Sequence, residues 1–105
     1  MKNQKLTKKS EFDSLYATGS KRTVGPLLIH KNKNNLEYSR LGLSIPKRVG
    51  NAVIRNRIKR LCREAFMQSK DDLPNSLDVL ITIRPHTALK LSQYKELILK
   101  GIGHE

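Results

Sequence analysis

This chain of 105 residues is poor in acid: nine Asp and Glu stand against 21 Lys and Arg, for a formal net charge of +12. Its single cysteine, Cys62, excludes a disulfide scaffold. There is no tryptophan, and the aromatics are two Phe and three Tyr. No apolar run approaches the roughly 18 residues of a membrane span. The basic start, MKNQKLTKKSEF, has no apolar stretch behind it that would make a secretory signal. His30, His86 and His104 are scattered without metal-ligand spacing, so no metal site is expected. The one acidic pair, Asp71-Asp72, lies in a turn where adjacent carboxylates diverge. A two-metal nuclease needs them to converge. No serine has a base at a telling spacing. These absences predict a soluble protein of a reducing, cytoplasmic compartment that binds rather than catalyses.

Leu, Ile, Val and Phe number 29 of the 105 residues. That exceeds the roughly 20% below which highly charged chains stay disordered. The length predicts one domain, 1–105, burying roughly 65% of its unfolded surface. The positive charge is unevenly spread. Lys47 to Arg63 holds seven basic residues in 17 positions and no acid. The other 88 residues carry 14 basic and nine acidic side chains. A solvated helix face usually mixes signs, as i,i+4 pairing favours. This one does not, which points to phosphate binding.

Periodicity predicts the elements. Phe12, Leu15 and Tyr16 share one face of a short helix over Thr7 to Thr18, closed by Gly19. Ser20 to Gly25 reads as a polar approach, Pro26 to Lys31 as a strand, and Lys31 to Glu37 as a turn. Tyr38 to Ile45 alternates, with Leu41, Leu43 and Ile45 on one side and Arg40, Gly42 and Ser44 on the other. Pro46 ends that strand or marks an edge. Asn51 can cap a helix from Ala52 to about Ser69. Asp78 to Arg84 reads as a third strand, with Val79, Ile81 and Ile83 on one face. Ser92 can cap a final helix with a stripe of Tyr94, Leu97, Ile98 and Ile102. The expected order is α-β-β-α-β-α, an α+β, single-domain α/β sandwich around a small mixed sheet.

The central helix divides sharply. At about 100° per residue, Ile54, Ile58, Leu61, Cys62 and Ala65 form one stripe for the sheet. Asn56, Lys59, Arg60 and Arg63 face away, and Arg55 and Arg57 border the stripe. Lys47 and Arg48 stand just before a helix start whose free N–H groups suit an anion. Arginine dominates, and its planar fork pairs bidentately with phosphate and stacks on bases. Asn56 is equally well read as a solvated residue or as an amide bridging base edges. Cys62 reads as inert core.

The run Lys47-Arg48-Val49-Gly50-Asn51-Ala52-Val53-Ile54-Arg55-Asn56-Arg57-Ile58-Lys59-Arg60-Leu61-Cys62-Arg63-Glu64-Ala65-Phe66 closely resembles a family signature, K-[KR]-x-G-x-A-V-x-R-N-R-x-K-R-x-x-R-E. That family is the bacterial ribonuclease P protein component. Leu41 to Pro46 resembles its preceding strand, and the likeness runs from about Leu6 to Leu99. The resemblance implies an unusual left-handed βαβ crossover carrying the central helix, as in domain four of elongation factor G. It implies the protein subunit of a tRNA-processing endonuclease, a ribonucleoprotein that removes the 5′ leader of precursor tRNA. The chemistry would belong to a catalytic RNA and its Mg²⁺. Lys47, Arg48, Arg55, Asn56, Arg57, Lys59, Arg60 and Arg63 would contact that RNA. A cleft between the central helix and the sheet, with Phe12, Tyr16, Arg40 and Asn51, would hold the leader of precursor tRNA. Pro26 to His30 has none of the aromatics that family members commonly place there. No membrane and no obligate protein partner is expected.

Three rivals share parts of this pattern. A structural RNA-binding protein of ribosomal type would share charge and size without needing the helix motif. A membrane-surface helix needs bulkier apolar residues than this stripe offers. A protein-only nuclease would cleave without RNA.

Overall fold

The computed structural model describes residues 20–73 and 76–103. It opens with a hairpin. Strand β1 (Ser20–Val24) and strand β2 (Leu27–Lys33) pair antiparallel, Val24 opposite Leu27. The two-residue loop between them has Gly25 at φ 56°, the positive φ that such a loop asks of its first residue. β1 corrects the sequence reading of a polar approach. Four of its five residues are exposed, so no apolar alternation announces it. Pairing with β2 makes it a strand. β2 also runs two residues beyond the expected strand end at Lys31, into the expected turn, because Lys31, Asn32 and Lys33 pair with Val79, Asp78 and Leu77.

Strand β3 (Arg40–Ser44) and strand β4 (Leu77–Ile83) are parallel neighbours, and β4 also pairs antiparallel with β2. The sheet is mixed, ordered β1-β2-β4-β3. Helix α1 (Ala52–Ser69) crosses from β3 to β4, and helix α2 (Leu91–Gly103) closes the fold. The described order is therefore β-β-β-α-β-α, with one strand more than expected. The helix expected over Thr7 to Thr18 lies outside the described residues, and so do Phe12 and Tyr16. Ser92 is not the cap of α2. It sits inside the first turn, while the Gln93 side chain reaches back to the Lys90 N–H at 2.9 Å.

Both helices lie on one sheet face. Leu27, Ile29, Leu41, Val79, Ile81 and Ile83 meet Ile58, Cys62, Ala65 and Phe66 of α1 and Tyr94, Ile98 and Ile102 of α2 in one core. Gly101 lets α2 close on the hairpin, since a Cβ there would collide with Ile29. The Arg22 guanidinium donates to the Lys100 carbonyl at 3.3 Å and Lys31 Nζ to the Ile102 carbonyl at 2.9 Å. These two cations cap the negative end of the helix. The loop before α2 is tied as well. His86 Nδ1 donates to the Arg84 carbonyl, and its Nε2 is hydrogen-bonded to the Tyr94 hydroxyl at 2.7 Å. The Leu89 N–H donates to that same hydroxyl oxygen. Among the described residues no helix is long and apolar enough to cross a membrane.

Candidate nucleic-acid interface

Pro46 ends β3, and the chain makes a 3₁₀ turn over Lys47–Val49. Val49 is buried and anchors the turn, while Lys47 and Arg48 stay exposed. Gly50 follows, and a side chain there would press a Cβ to 2.9 Å from Ile54 Cγ2. Asn51 caps α1 as its position suggests: Oδ1 accepts from the Ile54 N–H at 3.0 Å. The Gly50 carbonyl accepts from Arg55 Nε at 3.1 Å, which orients the guanidinium and leaves its terminal nitrogens outward. The helix start is thus built by three consecutive residues of the basic segment.

The phase of α1 is close to the expected one, with one shift. Ile58, Cys62 and Ala65 are buried and Leu61 is half-buried, but Ile54 is 40% exposed. Its side chain lies over Gly50 and is not part of the core cluster. Phe66 and Ser69 complete the buried face; Ser69 Oγ donates back to the Ala65 carbonyl at 2.7 Å. Cys62 is fully buried, and burial pushes its thiol up to about 12, so it is unreactive packing.

Asn56, Arg57, Lys59 and Arg60 are exposed, and Arg55 and Arg63 half-buried. Among the described residues Arg57, Lys59, Arg60 and Arg63 make no hydrogen bond or ion pair. Three cations elsewhere have internal partners: Arg22 and Lys31 donate to carbonyls at the end of α2, and Arg40 pairs with Asp78. These partners lie 38 to 78 residues away in sequence, so spacing alone does not reveal them.

Arg40 has a structural partner that its place on the strand does not announce. Its Nε and Nη2 pair with the two carboxylate oxygens of Asp78 at 2.9 and 2.6 Å. The pair is 20% and 15% exposed and bridges the registered residues of β3 and β4. Asn34 Nδ2 donates to the same carboxylate at 2.7 Å. Arg40 opens β3, whereas Asn51 follows the 3₁₀ turn beyond the strand's other end. The seam between α1 and the sheet is filled by core side chains. A pocket of about 200 Å³ remains, lined by Tyr38, Phe66, Lys70, Leu77 and Ile102 among others, and neither Arg40 nor Asn51 reaches it. The opposite sheet face carries Lys21, Leu28, His30, Gly42, Leu80 and Thr82, and no described helix covers it. Among the described residues no three His, Cys, Asp or Glu side chains come together as a metal site.

The chain matches the ribonuclease P family over residues 1–102. It belongs to the ribonuclease P protein component family. It is 38% identical over 95 residues to the ribonuclease P protein component of Alkaliphilus metalliredigens, covering 90% of this chain and 84% of that one. With the Fusobacterium nucleatum protein component the identity is 42% over 79 residues, covering 75% and 71%. The Staphylococcus aureus RNase P protein superposes with a TM-score of 0.83 at 27% identity, over 95% of this chain and 93% of that one. The Thermotoga maritima RNase P protein shares the fold with the same TM-score at 24% identity. The described mixed sheet, with two described helices on one face, thus shares the ribonuclease P protein fold. In this family member the family's signature run, Lys47 to Phe66, is the 3₁₀ turn, the cap and the first four turns of α1 together.

Proposed function

We propose that this chain is the protein subunit of ribonuclease P and binds the catalytic RNA through the outer face of α1. The carrying observation is that Arg57, Lys59, Arg60 and Arg63 are unpaired on a helix whose other face is core. Four unpaired cations on one rigid element cost self-repulsion that an RNA backbone relieves. Lys47, Arg48, Arg55 and Asn56 extend the same surface around the helix start. The subunit tightens precursor tRNA binding and assists removal of the 5′ leader, with contacts to the leader from Phe12, Tyr16 and Asn51. The half-buried Arg40–Asp78 pair makes Arg40 the weakest of the leader contacts, since its fork already holds a carboxylate. Mg²⁺ belongs to the RNA in this reading. Asp78 is occupied by Arg40 and Asn34, and Asp71 and Asp72 are exposed in a 3₁₀ turn.

Reconstitution tests it. The protein, added to a bacterial ribonuclease P RNA at low Mg²⁺, is expected to restore precursor tRNA cleavage. An Arg57→Gln, Arg60→Gln double variant should need more protein for the same rate. No stimulation by the wild-type chain would refute the reading.

A further inference from the structure

A shallow groove of about 570 Å³ runs along the outer flank of α1, lined by Arg57, Arg60, Leu61, Arg63, Glu64 and Met67. Its floor is apolar. Met67 is 49% exposed, and Leu61 is half-buried with its inner side against the core. Three guanidinium groups border it, none spent on a described residue. Glu64 is the one acid on α1, and its carboxylate accepts from Gln68 Nε2 at 3.3 Å while no arginine closes on it.

A phosphate backbone explains the arginines but neither of the other two features. It gains nothing from an exposed methionine, and an unpaired carboxylate repels it. A nucleobase uses both. Its ring buries on apolar side chains and stacks against guanidinium planes. Its edge carries N–H donors, for which an ionised carboxylate offers two acceptor oxygens. Guanine alone presents two adjacent donors, N1–H and N2–H, on its Watson–Crick edge.

We propose that this groove takes one unpaired guanine of an RNA partner, its ring on Leu61 and Met67 and its edge on Glu64. Arg57 and Arg60 hold the flanking phosphates. The inference rests on α1 being an RNA-binding face and adds a base-selective subsite to it.

Three hairpin RNAs with one stem test it: one with a bulged guanine, one with a bulged adenine, one fully paired. Binding is read by fluorescence anisotropy with the full chain. The bulged-guanine RNA is expected to bind about tenfold tighter than the paired stem, equivalent to about 1.4 kcal/mol, and tighter than bulged adenine. Met67→Ser, at an exposed position, should bring bulged-guanine affinity down to that of the paired stem. Glu64→Gln should strengthen binding of the paired and bulged-adenine RNAs by removing repulsion, and abolish the preference for guanine over adenine. Equal wild-type binding of bulged and paired stems would overturn the proposal. So would a guanine preference that survives Glu64→Gln. Failure of the wider reading looks different: Arg57→Gln with Arg60→Gln then leaves all three affinities unchanged, and both ideas fall.

Discussion

Ile54 and Ile58 lie one turn apart on α1 and do different work. Ile58 is fully buried among core side chains, whereas Ile54 is 40% exposed over Gly50. Ile58→Ala is expected to cost about 2–5 kcal/mol, and Ile54→Ala under about 1 kcal/mol, in urea denaturation. Swapped magnitudes would mean that the helix is rotated about its axis. His30 is the second informative residue. Burial, then the charge of Lys21, lowers its pKa below the ordinary histidine value of 6.5. The folded state therefore resists taking a proton that the unfolded state accepts. Above pH 6.5 both states are neutral and this group has no effect. As pH falls below 6.5 the unfolded state gains the proton first, so stability declines. Thermal melts at pH 7 and pH 5 should show a larger loss for the wild type than for His30→Gln. Parallel losses would show that another group carries the acid sensitivity.

Among the elements, α1 was the most legible from sequence and β1 the least, for a physical reason. α1 has a local cap at Asn51, an uninterrupted 18-residue pattern and one buried face, all encoded within itself. Asn51→Ala should lower stability by about 1 kcal/mol, measured as a shift in the urea midpoint with an unchanged slope. A neutral result would mean that the Arg55–Gly50 bond alone holds the helix start. β1 has no such internal signal. It is an edge strand whose one inward apolar side chain, Val24, meets α2 where Gly101 makes room. The cations of the candidate interface were likewise half legible. Spacing placed Lys59, Arg60 and Arg63 outward, but nothing local separates them from Arg40, whose partner Asp78 is 38 residues away. The exposed Ile54 at the helix start also escaped periodicity, because periodicity gives the phase of a helix and not how far along its length the core extends.

For the whole molecule, charge is the governing quantity. With a net +12, RNA affinity should fall steeply with salt. On duplex RNA or DNA the slope of log K against log salt is about −0.9 for each phosphate neutralised. Replacing Lys59 and Arg60 together with Gln should make the slope shallower by about 2 if each holds one phosphate. The fold should be unaffected, since both side chains are exposed and unpaired. An unchanged slope would place the RNA elsewhere on the surface.

The strand order β1-β2-β4-β3 also governs how this chain comes off the ribosome. β2 lies at the centre of the sheet, yet its second neighbour, β4, is 44 to 56 residues further along. At translation rates of about 5–20 residues per second, β2 waits roughly 2–11 s with only the β1 hairpin beside it. During that interval Leu27 and Ile29, both core residues in the finished fold, have neither β4 nor α2 to cover them. Closing so long a loop makes the central pairing slow relative to the local formation of α1. The arginine face of α1 is therefore expected to exist, and to be able to meet an anion, before the sheet beneath it is complete.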